Sequence, residues 1–267
     1  ISRAGLAQRP HVPRSSRRWK PILRNMLPSV LQIRKARVTR LWRATPELLT
    51  FELTLAPEDR FSFVAGQWVY LHLLTETGAS LARGAFSIAS SPAESSEVLS
   101  FGIKIYGRLT ATFAELNVGD EIGVQGPFGM FVLPQEPTPL VFCAAGIGIT
   151  PMRSMIREAL DRGWPESLLM IWTAKTEEDL MYHEKFLRWQ GASAGQFQYV
   201  PSLTKELRAT WEGQRGRLSA EQLDGVRVDW DRAEAYVCGP ERYMAEARML
   251  LAARGIAGRP RYHEEKF

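Results

Sequence analysis

Two short strings put small residues where a chain could meet an anion. In Cys143-Ala-Ala-Gly146-Ile-Gly148-Ile-Thr150-Pro151 an apolar run leads into a turn where Gly146 and Gly148 have no Cβ, so a phosphate can approach the backbone closely. Pro151 suits the first turn of the helix that would follow, because the N–H it lacks would have no partner there. Proline replaces the last glycine of the G-x-G-x-x-G fingerprint, and a lone G-x-G turn is as often a tight strand–helix connection. Farther on, Tyr236-Val-Cys238-Gly239-Pro240-Glu241 ends another apolar run in a thiol and opens another helix. A single buried cysteine is ordinarily a small hydrophobe. Both strings would stand at carboxyl ends of strands in one segment, the rim on which an open α/β sheet binds ligands, so the pair says more than either member.

A third string, Arg83-Gly-Ala-Phe86-Ser87-Ile88-Ala-Ser90-Ser91-Pro92, sets a flat aromatic beside a hydroxyl. An isoalloxazine ring needs that combination, a stacking face and a hydrogen bond near its N5; a strand ending in a Ser–Pro turn also produces it. Gly66-Gln67-Trp68, Gly107-Arg-Leu-Thr110 and Gly126-Pro-Phe-Gly129 add three more loops. Thr110 can cap a short helix whose N-terminus could hold a phosphate, and each loop is equally ordinary turn chemistry.

The elements around these strings change character midway. Gln32–Leu41, Leu48–Leu55, Gln67–Leu74, Phe86–Ala89, Val98–Tyr106 and Glu121–Gln125 read as short strands with one helix, Thr110–Leu116, which predicts a small antiparallel β-barrel. After the proline-rich joint at Pro134–Pro139 come strand Leu140–Ala144, a helix to Arg162, strand Leu168–Thr173, helix Glu177–Trp189, strand Phe197–Pro201, helix Ser219–Asp224, strand Ala235–Cys238 and helix Pro240–Arg254. Alternating strands and helices with uninterrupted apolar strands predict a doubly wound parallel α/β sheet. The expected division is an arm over 1–30, a barrel over 31–136 and an α/β domain over 137–267.

Composition narrows the classes. Of the 34 basic residues, 12 fall within residues 1–43, which hold no acid, so the body beyond them is acidic, with 22 basic against 29 acidic residues. The body shows no basic stripe with interleaved aromatics, which argues against nucleic-acid binding. Two cysteines, Cys143 and Cys238, cannot furnish a four-cysteine iron–sulfur or zinc site, and no metal is expected. The longest apolar run, Leu140 to Thr150, is too short to span a bilayer. Reduced, cytoplasm-like surroundings are the default. The Arg-rich, acid-free arm reads equally as a solvated tail, a linker, or an organellar transit peptide.

Six weak strings in one order carry more weight than any alone: residues 31–267 resemble the ferredoxin–NADP⁺ reductase superfamily. The resemblance implies a flavin domain followed by an NAD(P)-binding domain, with FAD favoured over FMN. It implies hydride transfer from NAD(P)H to the flavin and one-electron delivery to a ferredoxin, flavodoxin, cytochrome, small acceptor or further domain. Phe86, Ser87 and Ile88 would then flank the flavin, and Gly107, Leu109 and Thr110 would hold its phosphate. Gly146, Gly148, Thr150 and Pro151 would hold the dinucleotide, with Cys238, Gly239 and Pro240 beside the nicotinamide. Ser87, Cys238 and the terminal aromatic Phe267, which would cover the flavin, are the expected catalytic group. The family usually has arginine two residues before the aromatic; here that place is Gly84, so Arg83, one residue earlier, or Arg108 would have to serve the phosphate. Lys175 reads as a contact for a 2′-phosphate or as a solvated lysine, so NADH and NADPH stay open. The arm could dock an acidic carrier or meet an anionic membrane. The other reading is a non-catalytic or electron-transfer subunit that keeps the fold.

Overall fold

The computed structural model describes residues 29–95, 97–205, 208–258 and 260–266. The chain divides into two compact units, residues 1–32 and 33–267. The expected arm and Phe267 therefore fall on residues outside the described ones, save for a helical turn over 29–31.

The larger unit contains two six-stranded sheets. The first comprises β1 (Arg34–Thr45), β2 (Leu48–Leu55), β3 (Trp68–Leu74), β4 (Ser80–Ser87), β5 (Val98–Lys104) and β6 (Glu121–Phe128), with α1 (Gly107–Phe113) between the last two. All its pairings are antiparallel, in the order β4-β3-β6-β1-β2-β5. Ala36 and Val38 of β1 are buried while Lys35, Arg37 and Thr39 face water, the period-two signature of a sheet with one dry side. That side holds Phe51, Phe101 and Phe113, whose rings stack. Just beyond β4 the Ala89 N–H donates to Ser100 O of β5 at 2.8 Å, which draws the two edge strands together and closes the sheet toward a barrel.

The second sheet comprises β7 (Leu140–Ala145), β8 (Leu168–Ala174), β9 (Phe197–Leu203), β10 (Gln214–Arg215), β11 (Glu234–Cys238) and β12 (Tyr262–Glu265). Every pairing is parallel, in the order β10-β9-β8-β7-β11-β12. Leu140, Phe142 and Ala144 of β7 point into one core, where α2 (Ile149–Asp161) buries Met152, Met155, Ile156 and Ala159. Val141 and Cys143 point into the other, under Met244, Ala247 and Leu251 of α5 (Glu241–Ala252). Apolar residues at i, i+3, i+4 and i+7 give each helix the stripe that its sheet face covers. The chain winds outward from β7 to β8 and β9, then returns to place β11 on the other flank. The switch point therefore lies between β7 and β11, where an open sheet has its ligand crevice.

The expected barrel and parallel sheet are both present. Some boundaries differ. β4 begins at Ser80, six residues before the strand expected at Phe86, because its first half is an exposed edge with no apolar alternation. The first helix begins at Gly107 rather than Thr110, since Gly107 adopts φ +73° and turns the chain directly out of β5. The helix expected over Glu177–Trp189 divides into a 3-10 turn, Glu177–Asp179, and α3 (His183–Ala192); Thr176 and Asp179 form a capping box at the first. α4 (Ala220–Asp224) starts under its cap Ser219. The edge strand β12 was not anticipated.

Candidate functional site

The carboxyl end of β4 and the turn after β7 face each other across a cavity of about 560 Å³. That lies within the ~300–1,000 Å³ range of small-molecule sites. Gly84–Ser87, Gly102–Lys104 and Tyr106–Thr110 form the barrel wall, and Ile147, Thr150, Glu265 and Lys266 form the other.

Ser87 is 3% exposed, and its Oγ finds no hydrogen-bond partner among the described residues. Leaving a hydroxyl dry and unpaired costs ~1–3 kcal/mol, so the group suits an acceptor or donor that a ligand brings. Phe86 meets Phe113 edge-on at 5.4 Å, which fixes its ring at the cavity wall. Ile88 is wholly buried in the barrel core and does not line the cavity. At Gly84 a Cβ would stand 2.9 Å from both Leu109 Cδ2 and Phe86 Cε2, so a side chain there would have to displace Leu109 or the Phe86 ring. Arg83 lies outside the lining: its guanidinium covers the Tyr70 ring at 4.3 Å and donates to Gln125 Oε1 at 3.2 Å. Arg108, by contrast, lines the cavity.

Thr110 does not cap α1 in the expected way, because the helix starts three residues earlier. From inside the first turn its Oγ1 accepts the Tyr106 N–H at 2.7 Å and donates to the Tyr106 carbonyl, so it closes the loop between β5 and α1. A Cβ at Gly107 would meet nothing, which leaves the start of α1 open to the cavity.

On the other wall, Gly146–Gly148 form a 3-10 turn that continues into α2, and no side chain caps either N-terminus. No side chain therefore competes with an anion for the amides at the start of the turn. Gly146 takes φ +55°, and its carbonyl accepts from Trp172 Nε1 at 3.0 Å. Gly148 passes so close to β11 that a Cβ would lie 2.4 Å from the Cys238 carbonyl oxygen. Thr150 Oγ1 donates to Ile147 O, and Pro151 stands in the first turn of α2. The two strings expected to share a rim are thus in backbone contact.

Cys238 is fully buried, and burial, then the nearby Glu265, push its thiol well above the ordinary range. It pairs in register with Ala144 on one side and Glu265 on the other. Glu265 lines the cavity with Oε2 unpaired among the described residues, and burial pushes its carboxyl up to about 7. Nothing in the sequence singles it out, because two glutamates before an aromatic carry no periodic signal. Lys175, at the end of β8, is half-exposed and pairs with Glu47 at 3.5 Å. Gly239 and Pro240 lead from Cys238 into α5.

The residues present therefore fit a flavin against Phe86 and Ser87 and a dinucleotide at the Gly146 turn, and together they define a two-domain flavin- and nicotinamide-dependent oxidoreductase. Residues 35–133 match the oxidoreductase FAD-binding domain family, and residues 142–249 the oxidoreductase NAD-binding domain family. Ferredoxin–NADP reductase B of Sorangium cellulosum is 31% identical over 86% of this chain and 94% of its own length. The glycine betaine monooxygenase reductase subunit of Pseudomonas aeruginosa is 30% identical over 86% of this chain, which spans 63% of that relative. In fold, the chain is similar to a Neisseria gonorrhoeae ferredoxin NADP⁺ reductase solved with bound FAD and NADP, with TM-score 0.74 and 21% identity over 88% of this chain and 98% of that one. The chain belongs to the ferredoxin–NADP⁺ reductase-like family and is an FAD-dependent NAD(P)H oxidoreductase.

Proposed function

We propose that the chain acts as an electron-delivering reductase module whose acceptor is a separate protein, and that the cavity between β4 and the Gly146 turn is where its two cofactors meet. The unpaired Oγ of Ser87, a residue that lines the same cavity as Ile147 and Thr150 of the dinucleotide turn, carries this reading. Bound FAD would supply acceptance of a hydride from NAD(P)H and its release as single electrons. The chain's own part is to bind and orient. Phe86 offers the ring face, Ser87 the hydrogen bond, and Arg108 with the start of α1 the phosphate contacts. The uncapped turn at Gly146–Thr150 would hold the dinucleotide phosphates, and Cys238, Gly239 and Pro240, behind the cavity lining, would lie on the nicotinamide side. Glu265, largely protonated below about 7, can hold a proton at its carboxyl oxygen on the cavity wall.

Several relatives support a protein acceptor: reductase components of propane 2-monooxygenase and of terephthalate 1,2-dioxygenase are among them. No helix among the described residues is long and apolar enough to cross a membrane. An anaerobic visible spectrum of the FAD-reconstituted protein, before and after NADPH and then NADH, tests the reading. A flavin band that bleaches supports it, and the faster nucleotide identifies the donor. A protein that takes up no FAD would refute it and leave the non-catalytic subunit as the better account.

A further inference from the structure

The cavity walls are joined behind their lining by a cluster the chemistry above does not use. α2 turns one flank toward the loop that continues β4, and three of its side chains bond there. Arg153, 3% exposed, donates from Nη1 to Ala89 O at 2.7 Å, and its two terminal nitrogens grip both carboxylate oxygens of Glu94, with Nη2 to Oε1 at 2.6 Å. Ser154 Oγ donates to Ser90 O at 2.6 Å, and Ser91 Oγ donates to Glu158 Oε2 at 2.7 Å. Glu94 also accepts the Ser91 N–H at 2.8 Å. The rings of Trp189 and Tyr182 lie 5.4 and 5.9 Å from the guanidinium. A charge so deep is costly unless it is paired and hydrogen-bonded, and here its partner comes from the other sheet's domain.

We propose that Arg153 and Glu94 are positioning residues, whose ion pair sets the separation between the flavin wall and the dinucleotide wall. The inference rests on the reading of the cavity given above. Its reason is adjacency along the chain. The gripped carbonyl of Ala89 is two residues beyond Ser87, and Arg153 is three residues beyond Thr150. The clamp therefore acts on the roots of both walls. On the cavity side the walls come close, since even a Cβ at Gly102 of β5 would lie 2.9 Å from Thr150 Cγ2. Contact limits how closely the walls approach, and the clamp limits how far they part. A misplacement of about 1 Å between reacting centres can cost ~10²-fold in rate, so a loosened clamp should be read in rate before affinity.

The test uses the FAD-reconstituted protein and four variants: Glu94→Gln, Arg153→Met, the pair combined, and Glu94→Asp as the conservative one. Expected in Glu94→Gln is a fall of about tenfold or more in the limiting rate of flavin bleaching at saturating NAD(P)H. The dinucleotide Kd should move less than about threefold, because the Gly146 turn is intact. Glu94→Asp should recover part of the rate, and the combined variant should be no slower than Arg153→Met alone. Amide hydrogen exchange of the flavin-free protein should rise at residues 90–93 and in the first half of α2 in Glu94→Gln. Wild-type bleaching with an unchanged limiting rate in Glu94→Gln and Arg153→Met would overturn the proposal, even if both melt lower. Failure of wild type itself to bleach would instead overturn the reading on which it rests.

Discussion

Leu109 packs over Gly84: a Cβ at residue 84 would stand 2.9 Å from Leu109 Cδ2. The arginine usual in this family at that place would have to push the Leu109 side chain and the Phe86 ring aside. Restoring it should therefore crowd the contact between β4 and α1. In Gly84→Arg the FAD dissociation constant, measured by flavin fluorescence titration, should rise about tenfold or more, since overpacking typically costs ~1–3 kcal/mol and here falls on the flavin wall. Tighter FAD binding in this variant would refute the packing account.

Arg108 and Arg83 should separate cleanly. Arg108→Ala is expected to weaken FAD binding about tenfold, the scale of one charge-assisted phosphate contact at ~1.5–3 kcal/mol. Arg83→Ala should leave FAD affinity nearly unchanged but lose ~0.5–1 kcal/mol of stability as the Tyr70 ring is uncovered. Titration of FAD and thermal melts of the flavin-free variants, taken side by side, check both; the opposite pattern would return the phosphate to Arg83.

Ser87→Ala should divide stability from function. Removing a dry, unpaired hydroxyl ought to leave the flavin-free protein as stable as before or stabilise it by about 1 kcal/mol. The limiting rate of flavin reduction should meanwhile drop ~10- to 10²-fold, as expected for a lost hydrogen bond at the reacting centre. A stopped-flow rate equal to wild type would remove Ser87 from the catalytic group.

Glu265 should be visible in the pH dependence of stability. Its carboxyl is raised by burial from an ordinary 4.5 to about 7, so the folded protein holds that proton over a range where the unfolded chain has released it. The associated stability is fully present below about 4.5 and is lost as pH rises through about 7. Glu265→Gln should flatten that stretch of the melting temperature against pH in the flavin-free protein. A profile identical to wild type would mean that the carboxyl is ionised in the fold.

The antiparallel sheet and the parallel sheet after it were legible because burial writes period two into β1 and continuous apolar runs into β7 and β8. The Gly146 turn and Cys238 were legible because backbone approach at Gly148 leaves no alternative to glycine. What escaped was of another kind. β4 and β12 are exposed edges, where a strand needs no apolar pattern. Glu265 reaches the cavity only because β12 pairs with β11 in a register that no local signal announces. The place of Arg83 depended on Tyr70 and Gln125, partners distant in sequence, so spacing from Phe86 could not reveal which way its side chain turns.

The proline-rich joint at 134–139 is where the sequence changes character and where one would cut to exchange halves between relatives. The fold has its seam elsewhere. α2 and the loop after β4 carry complementary halves of one set of bonds, Arg153 to Glu94, Ser154 to Ser90, and Glu158 to Ser91. A chimera joined at the prolines would inherit one half of that set from each parent, and a single residue inserted early in α2 would rotate its half ~100° out of reach. Interchangeable parts would have to be cut so that both halves travel together, which makes this two-sheet unit a single heritable piece.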